Sequence, residues 1–428
     1  MTQPLRIALA GLGTVGAGMV TILQTHAELI TARAGREIRL VAVSARSRTK
    51  DRGVDLSGFD WEDDPVALAR RDDVDLLVEV MGGEDGTARV ATETALAAGK
   101  HVVTANKAMM ARHGTRLAAL AEEKGVSLRY EAAVAGGIPI VKALTEGMAA
   151  NGMTRVLGVM NGTCNYILTE MERTGGAYAD ILADAQRLGY AEADPTFDVG
   201  GFDAAQKLAL LSATAFGTEV DYDAIQIEGI ERVTLTDIRH AREMGYAIKL
   251  LGVAALTPDG VEQRMQPCLV PDHSPLGQLE GVTNMVVLEG DFIGRTVYQG
   301  PGAGAGPTAS AVMADVIDIA RGAKVPSFGV PARMLSAPQR SGLAAPAPYY
   351  LRLGLADRPG TLARVADALG RAGISIDRMR QIQHETDEAP VLIVTHACAR
   401  ADLDRALADI MTMDVTTAEP VAYRIEPV

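Results

Sequence analysis

A chain of 428 residues, 48% hydrophobic but only 4% aromatic, has apolar surface for two or three cores, and its many small residues suit close helix–sheet contact in an α/β protein. A net charge of −13 offers no basic face for a nucleic-acid backbone, and no apolar run reaches the roughly 18–20 residues of a membrane span. Three widely spaced cysteines, Cys164, Cys268 and Cys398, make neither a disulfide framework nor a metal knuckle. Together with an N-terminus that runs almost directly into a strand, they predict a cytoplasmic protein without a signal peptide.

Leu5 to Ala10 reads as a buried strand, followed at once by Gly11-Leu12-Gly13-Thr14-Val15-Gly16 and a helical stretch to about Ala32. Strand, GxGxxG and helix are the context of a dinucleotide fingerprint. Gly11 permits the tight turn, Gly13 admits a pyrophosphate, Gly16 lets helix and strand approach, and the N–H groups of the helix start meet the phosphates. The next strand, Ile38 to Ser44, ends in Ser44-Ala45-Arg46-Ser47-Arg48, with no acid for a ribose 2′-hydroxyl. Arg46 and Arg48 are either a grip for a 2′-phosphate, which favours NADP over NAD, or ordinary surface charges. Asp75 to Val80 is a further strand that leads to Gly82-Gly83, and a helix over Ala88 to Ala98 precedes strand His101 to Thr104. Thr104-Ala105-Asn106-Lys107 puts an ammonium group just after a strand end, on the sheet edge of the glycine turn; such a lysine serves a nicotinamide or substrate oxygen, or faces solvent. Ser127 to Glu131 reads as a strand. The Ala132–Pro139 turn then either gathers carbonyls around a hard cation or only crosses between domains.

The second region has a different pattern. Arg155 to Met160 is a strand, Asn161 to Asn165 a polar turn, and a helix follows to about Arg173. Gly189 to Leu208 carries Glu192, Asp194, Asp198 and Asp203 and ends on Lys207. Pro195, Gly200 and Gly201 make its first half a loop, while Phe202 to Ser212 is helical and sets Asp203 and Lys207 on one face. The cluster is either a solvated turn or a site that holds a cationic substrate and moves a proton. Strands at Lys249–Leu256, Glu262–Val270 and Met285–Glu289 favour an antiparallel sheet. A glycine-rich loop over Gly300–Pro307 precedes a helix from Thr308 to Arg321 that returns to the first domain. Leu335 to Pro348 reads as a linker. After it, strand Tyr349–Leu355, turn Asp357-Arg358-Pro359-Gly360, helix Thr361–Ala372, strands Ile374–Gln383 and Val391–Ala397, helix Asp402–Met411 and strand Val421–Ile425 give a ferredoxin-like βαββαβ order. The expected division is 1–135 for a Rossmann-like doubly wound domain rejoined by about 305–330, 136–304 for an α+β substrate and dimerisation domain, 335–348 for the linker, and 349–428 for the last module.

Six stretches now add up. GLGTVG, TANKA, EAAVAGGIP, MNGTCNYIL, GYAEADPTFDVGGFDAAQKL and GPGAGAGPTASAV, in this order, resemble the monofunctional bacterial homoserine dehydrogenases, and the segment from Tyr349 resembles an ACT domain with its DRPG turn. The resemblance implies reversible NAD(P)-linked reduction of L-aspartate 4-semialdehyde to L-homoserine. By position it makes Lys207 the general acid/base, Lys107 a second lysine near nicotinamide and substrate, and Glu192 the partner of the substrate ammonium. Asp198 and Asp203 resemble carboxylates that orient substrate and Lys207, and Tyr190, Gly162 and Thr163 resemble pocket residues. Gly11, Gly13, Thr14, Val15, Gly16, Arg46, Gly82, Gly83, Thr104, Lys107 and Gly302 are the implied cofactor contacts. Glu131 with Val134, Gly136 and Ile138 resembles a monovalent-cation site, of Na+ type. Cys164 receives no catalytic role. Asp357, Gly360 and Leu362 are the expected effector contacts, with L-threonine as feedback inhibitor, and a homodimer or homotetramer is expected.

The residue types suit this chemistry. Hydride arriving at an aldehyde puts negative charge on its oxygen, which a protonated lysine stabilises and protonates. Alcohol oxidation needs the lysine deprotonated and therefore runs better at alkaline pH. Seven histidines without ligand spacing supply no catalytic metal. Two rivals remain: a semialdehyde dehydrogenase with Cys164 as nucleophile, although no histidine lies near it in sequence, and a non-catalytic dinucleotide-binding sensor, which has no use for a proton donor. Deleting everything after Pro348 is expected to abolish inhibition and leave activity.

Overall fold

The computed structural model describes residues 3–341, 344–381 and 388–428. Two sheets organise the chain. The first runs β3 (Asp60–Trp61), β2 (Ile38–Ser44), β1 (Leu5–Ala10), β4 (Leu76–Glu79), β5 (His101–Thr104) and β6 (Leu128–Arg129), with every pairing parallel. The near-continuous apolar runs of β1 and β4 are what burial on both faces demands. Strand order reverses between β1 and β4, so the crevice at their carboxyl ends is where a doubly wound sheet binds its ligands. The Ala305–Ala320 helix comes back to lie on the Thr14–Thr25 helix, and Ala309, Val312 and Val316 share a core with Leu9, Met19 and Val20.

The second sheet has ten strands. β7 (Met153–Val159), β9 (Tyr246–Thr257), β10 (Gly260–Pro271), β11 (Thr283–Gly290) and β12 (Gly294–Pro301) pair antiparallel in the order β12-β11-β7-β9-β10, with β8 (Gln226–Ile227) beside β10. The Phe202–Phe216 helix covers this sheet, with Ala204, Leu208 and Leu211 in one core with Val156, Leu250 and Met265. The C-terminal module contributes β13 (Tyr349–Ala356), β14 (Ile376–Gln381), β15 (Glu388–Thr395) and β16 (Val421–Ile425), in the ferredoxin-like order β16-β13-β15-β14. It is not a bead on a string. β16 pairs parallel with β10 through Cys268–Arg424 and Leu269–Ile425, so the two sheets are continuous.

Several local expectations change. The first helix ends at Thr25, and a second runs from Ala27 to Ala34, because His26 leaves helical geometry at φ −121° and ψ 27°. The Ser127–Glu131 strand shrinks to Leu128–Arg129, and Glu131 opens a 3-10 turn. The Gly300–Pro307 loop narrows to three residues, since Pro301 still pairs in β12 and the helix begins at Ala305. The Ile374–Gln383 strand is seen over Ile376–Gln381, and its end lies outside the described residues. The Leu335–Pro348 stretch is a strap rather than a free linker: Ser336 bridges Thr218, Arg340 bridges Val261, and Ala347 bridges Cys398. The Lys107–Glu123 helix and strand β12 carry no expectation above; the first hides an amphipathic face behind His113 and Gly114, and the second is a mostly exposed edge strand.

Candidate active site

The site is built from strand ends and helix starts on the two sheets. Gly11, at φ +107°, turns the chain out of β1 where a Cβ would lie 2.7 Å from the Val80 carbonyl. A Cβ on Gly16 would lie 2.1 Å from the Gly11 carbonyl, so only glycine lets the helix start this close to the strand. At Gly13 nothing lies within 4 Å of that position, which leaves the N–H groups of the Thr14–Thr25 helix open to a phosphate. At the end of β4, Glu79 is fully buried and accepts from the Met81 and Gly82 N–H groups (2.7 and 3.2 Å) and the Thr104 hydroxyl (2.6 Å). Burial pushes its carboxyl upward. Thr104 is thus turned inward, away from the cleft, and acts on the Met81–Gly82 turn through Glu79. Asn106 then caps the Lys107–Glu123 helix through the Met109 N–H, which sets Lys107 at its first position.

From the other sheet, Asn161 follows β7 and caps the Gly162–Thr174 helix through the Cys164 N–H. Its amide nitrogen bridges Asp198 (2.8 Å) and Asp203 (2.9 Å). Asp203 is the hub. One carboxylate oxygen accepts from Lys207 Nζ at 2.8 Å, and the other pairs with Lys107 Nζ at 3.1 Å. Lys207 is held a second time by the Met160 carbonyl at 2.8 Å. Burial by itself would raise the Asp203 carboxyl, but the Lys207 and Lys107 ammonium groups override it and hold it well below the usual carboxylate range. Asp198 moves the other way: burial and the neighbouring Asp203 charge raise it. Two lysine side chains converge on one carboxylate and line the cleft, so N–H donors stand where an oxyanion could be met.

These groups line one cleft of about 910 Å³. Thr14, Val15 and Gly82 face it from the first sheet, and Gly162, Thr163, Tyr190, Glu192 and Asp198 from the substrate side, with Gly136 and Gly302 on its walls. The Thr163 hydroxyl donates to the Tyr190 carbonyl at 2.6 Å, and Tyr190 stacks edge-on against Tyr166. Asp194 does not join the others; it accepts from the Thr196 N–H and is a solvated turn residue. Gly11, Gly13, Gly16 and Gly83 lie beside the cleft without lining it, Gly11 and Gly83 in turns and Gly16 in the first turn of the helix. Arg46 is exposed at the end of β2 near Arg48, whose guanidinium lies over Trp61. Arg52 was missed by sequence reasoning; it donates to the Leu12 carbonyl and so ties the glycine turn to the loop after β2. Asn284 was missed too. It is 1% exposed, lines the cleft against Gly302, and among the described residues neither atom of its amide has a partner. An isolated asparagine in a strand leaves no signal in sequence.

Around Glu131, the carboxylate accepts from the Val141 and Lys142 N–H groups, and burial with the Asp315 charge pushes it up to about 7. Ala135 and Gly136, at φ +54° and +43°, reverse the chain beside it, with Val134 and Ile138 buried on either side. Cys164 is fully buried and its thiol is pushed up by burial, the opposite of a nucleophile's environment. Among the described residues no group of three or more His, Cys, Asp or Glu side chains is placed to hold a metal. Asp357, Gly360 and Leu362 line a separate cavity of about 410 Å³ in the C-terminal module.

Comparison with known proteins bears on this geometry. Residues 139–317 match the homoserine dehydrogenase family, 11–131 the homoserine dehydrogenase NAD-binding domain, and 349–412 the ACT domain. A homoserine dehydrogenase of Neisseria gonorrhoeae is 44% identical over 99% of each chain. The crystal structure of a homoserine dehydrogenase from Thiobacillus denitrificans is 42% identical, with a TM-score of 0.94 over 99% of each chain. A hyperthermophilic archaeal homoserine dehydrogenase mutant in complex with NADPH is 26% identical, with a TM-score of 0.64 over 74% of this chain and 97% of that one.

Proposed function

From the membership of this chain in the homoserine dehydrogenase family, NAD(P)-dependent oxidoreductases with L-homoserine and L-aspartate 4-semialdehyde as substrates, we propose that Lys207 is the proton donor and acceptor and that NADPH is the preferred cofactor. The observation that carries the proton assignment is the convergence of Lys107 and Lys207 on Asp203 in the cleft that Thr14 and Val15, at the helix start after the glycine turn, also line.

The open space at Gly13 and the uncapped helix start fit a dinucleotide pyrophosphate, which Thr14 and Val15 would hold. Arg46 and Arg48 would meet a 2′-phosphate, in line with the NADPH bound by the archaeal relative. The bound cofactor supplies the hydride. Glu192 binds the substrate ammonium, and Tyr190, Gly162 and Thr163 bound the pocket. As the aldehyde oxygen becomes anionic, Lys107 and Lys207 stabilise it, and Lys207 transfers its Nζ proton to that oxygen. Asp203, held ionised by both lysines, aims Lys207 through their 2.8 Å hydrogen bond. In the oxidative direction Lys207 removes the hydroxyl proton.

NADPH consumption with aspartate semialdehyde tests this. Wild type is expected to turn over and Lys207→Ala to lose about 10²–10³ in kcat, the scale of one oxyanion-stabilising group. A variant that keeps wild-type kcat overturns the assignment.

The same proposal extends to regulation and assembly. L-threonine is the inhibitor, taken at the turn of Asp357, Gly360 and Leu362. Glu131 with the carbonyls of Val134, Gly136 and Ile138 holds a sodium ion that compensates the buried acidic pair of Glu131 and Asp315. A homodimer or homotetramer fits the exposed edge strand β12, where Val297 is 45% exposed. Three free, buried cysteines suit a cytoplasmic enzyme.

A further inference from the structure

Glu79 is a fully buried acid at the carboxyl end of β4, paired in the sheet with Ala10 of β1 and Thr104 of β5. An acid at this depth is costly unless hydrogen bonds meet it, and both of its oxygens are met. One accepts from the Met81 and Gly82 N–H groups, the other from the Thr104 hydroxyl. The Thr104 oxygen accepts in turn from the Asn106 N–H at 3.0 Å. The Asn106 amide nitrogen donates to the Gly83 carbonyl at 2.7 Å, and its amide oxygen accepts from the Met109 N–H at 3.1 Å. These bonds close a ring from Glu79 through the Met81–Gly83 turn, Asn106 and Thr104 back to Glu79. Two successive glycines at positive φ, +79° and +96°, make that turn soft by itself, so the ring imposes its shape. The ring reaches the cleft at two places. Val80, Met81 and Gly82 line it on the side of Thr14 and Val15. Lys107, the first residue of the helix that Asn106 caps, lines it opposite Asp203. Glu79, Thr104 and Asn106 themselves lie behind it, none more than 4% exposed.

We propose that Glu79 is a positioning residue for the reaction, which couples the Met81–Gly83 turn on the cofactor side of the cleft to the Lys107 ammonium on the substrate side. It touches neither ligand and acts through Thr104 and Asn106, and the proposal rests on the reading of Lys107 as a group that stabilises the substrate oxygen. A carboxylate is needed because both arms of the ring demand an acceptor. Glutamine has one oxygen. Turned toward the Met81 and Gly82 N–H groups, it sets its own NH2 against a hydroxyl that already accepts from Asn106; turned the other way, it sets NH2 against two N–H groups. Glu192, the partner of the substrate ammonium, lies outside the ring.

The test is steady-state kinetics of the full chain with NADPH and aspartate semialdehyde, with Tm measured alongside. In Glu79→Gln and in Thr104→Val, kcat is expected to fall and the KM for NADPH to rise by about tenfold each, the scale of a lost charge-assisted hydrogen bond and a displaced reacting group. The KM for aspartate semialdehyde should stay unchanged. Thr104→Ser returns the hydroxyl and should restore both parameters. Because the two positions act through one ring, the double variant should lose no more than the worse single one. If Glu79→Gln does not fold, Thr104→Val, which keeps the side-chain shape, and its serine counterpart carry the test. A lowered Tm with kcat and both KM values of the wild type marks Glu79 as structural only and overturns the proposal, as do losses that add in the double variant. Lys107→Ala separates the two readings. Wild-type kcat there overturns the role of Lys107 and this coupling with it, whereas a loss there with none in Thr104→Val overturns the coupling alone.

Discussion

At the scale of single residues, the decisive fact is that Asp203 serves two lysines. Its carboxyl lies well below the usual range although burial works against it, so its pairing stabilises the fold above the unfolded value near 3.9, and that contribution is lost as pH falls below it. Asp203→Asn leaves the buried Lys207 ammonium and the partly exposed Lys107 ammonium without their counter-charge. The expected loss is about 3 kcal/mol, the lower end for a broken buried pair because Lys107 is about a third exposed. Urea midpoints at pH 7 check this, and the gap to wild type should hold down to about pH 4 and narrow only below it. Asn284 makes the opposite case. Its truncation to alanine removes no protein hydrogen bond among those described, so Tm should hold while the KM for NADPH or for substrate rises about tenfold. A lowered Tm with unchanged KM would mark it as structural.

At the scale of elements, the glycine turn and the domain-crossing turn carry separate predictions. Gly16→Ala forces a Cβ to 2.1 Å from the Gly11 carbonyl, and the helix start must retreat from the strand. Overpacking of this kind costs about 1–3 kcal/mol, so NADPH fluorescence titration should show affinity reduced by about tenfold or more. The Glu131 turn responds to pH instead. Burial and Asp315 raise this carboxyl to about 7, above its unfolded value, so ionisation between those values works against the fold. A bound sodium ion removes that penalty only once the carboxylate is charged. Replacing N-methylglucamine by sodium should therefore raise Tm clearly at pH 8 and little at pH 6; an equal effect at both refutes the cation site at Glu131.

At the scale of the whole molecule, the continuous second sheet changes what deletion of the ACT module means. The Leu335–Pro348 composition suggests a free tether, and a free tether makes truncation after Pro348 harmless to catalysis. The structure joins β16 to β10 and sends Arg424 and Glu426 to the buried Arg264. Truncation strips Arg264 of Glu426 and bares a sheet edge, so the shortened chain should lose Tm and aggregate as well as lose inhibition. Asp357→Ala in the intact chain is the cleaner probe: threonine inhibition is expected to fall with kcat and Tm unchanged. If inhibition persists undiminished, the turn is not the effector site.

Most of the glycine turn was legible in the sequence because its physics is local. Gly11 and Gly16 answer to a turn and a helix contact within one strand–helix unit, and Asp203 and Lys207 share a helix face by periodicity alone. The βαββαβ order of the last module is likewise a succession of local patterns. What the tertiary structure alone decided are meetings between residues distant in sequence: Lys107 from one sheet on Asp203 from the other, Asn161 between two carboxylates, Asn284 against Gly302, and Glu426 among three arginines. Periodicity fixes which face of an element is buried, but not which partner that face meets. That choice is made by how two twisted sheets and their covering helices pack, and no single segment of the chain contains it.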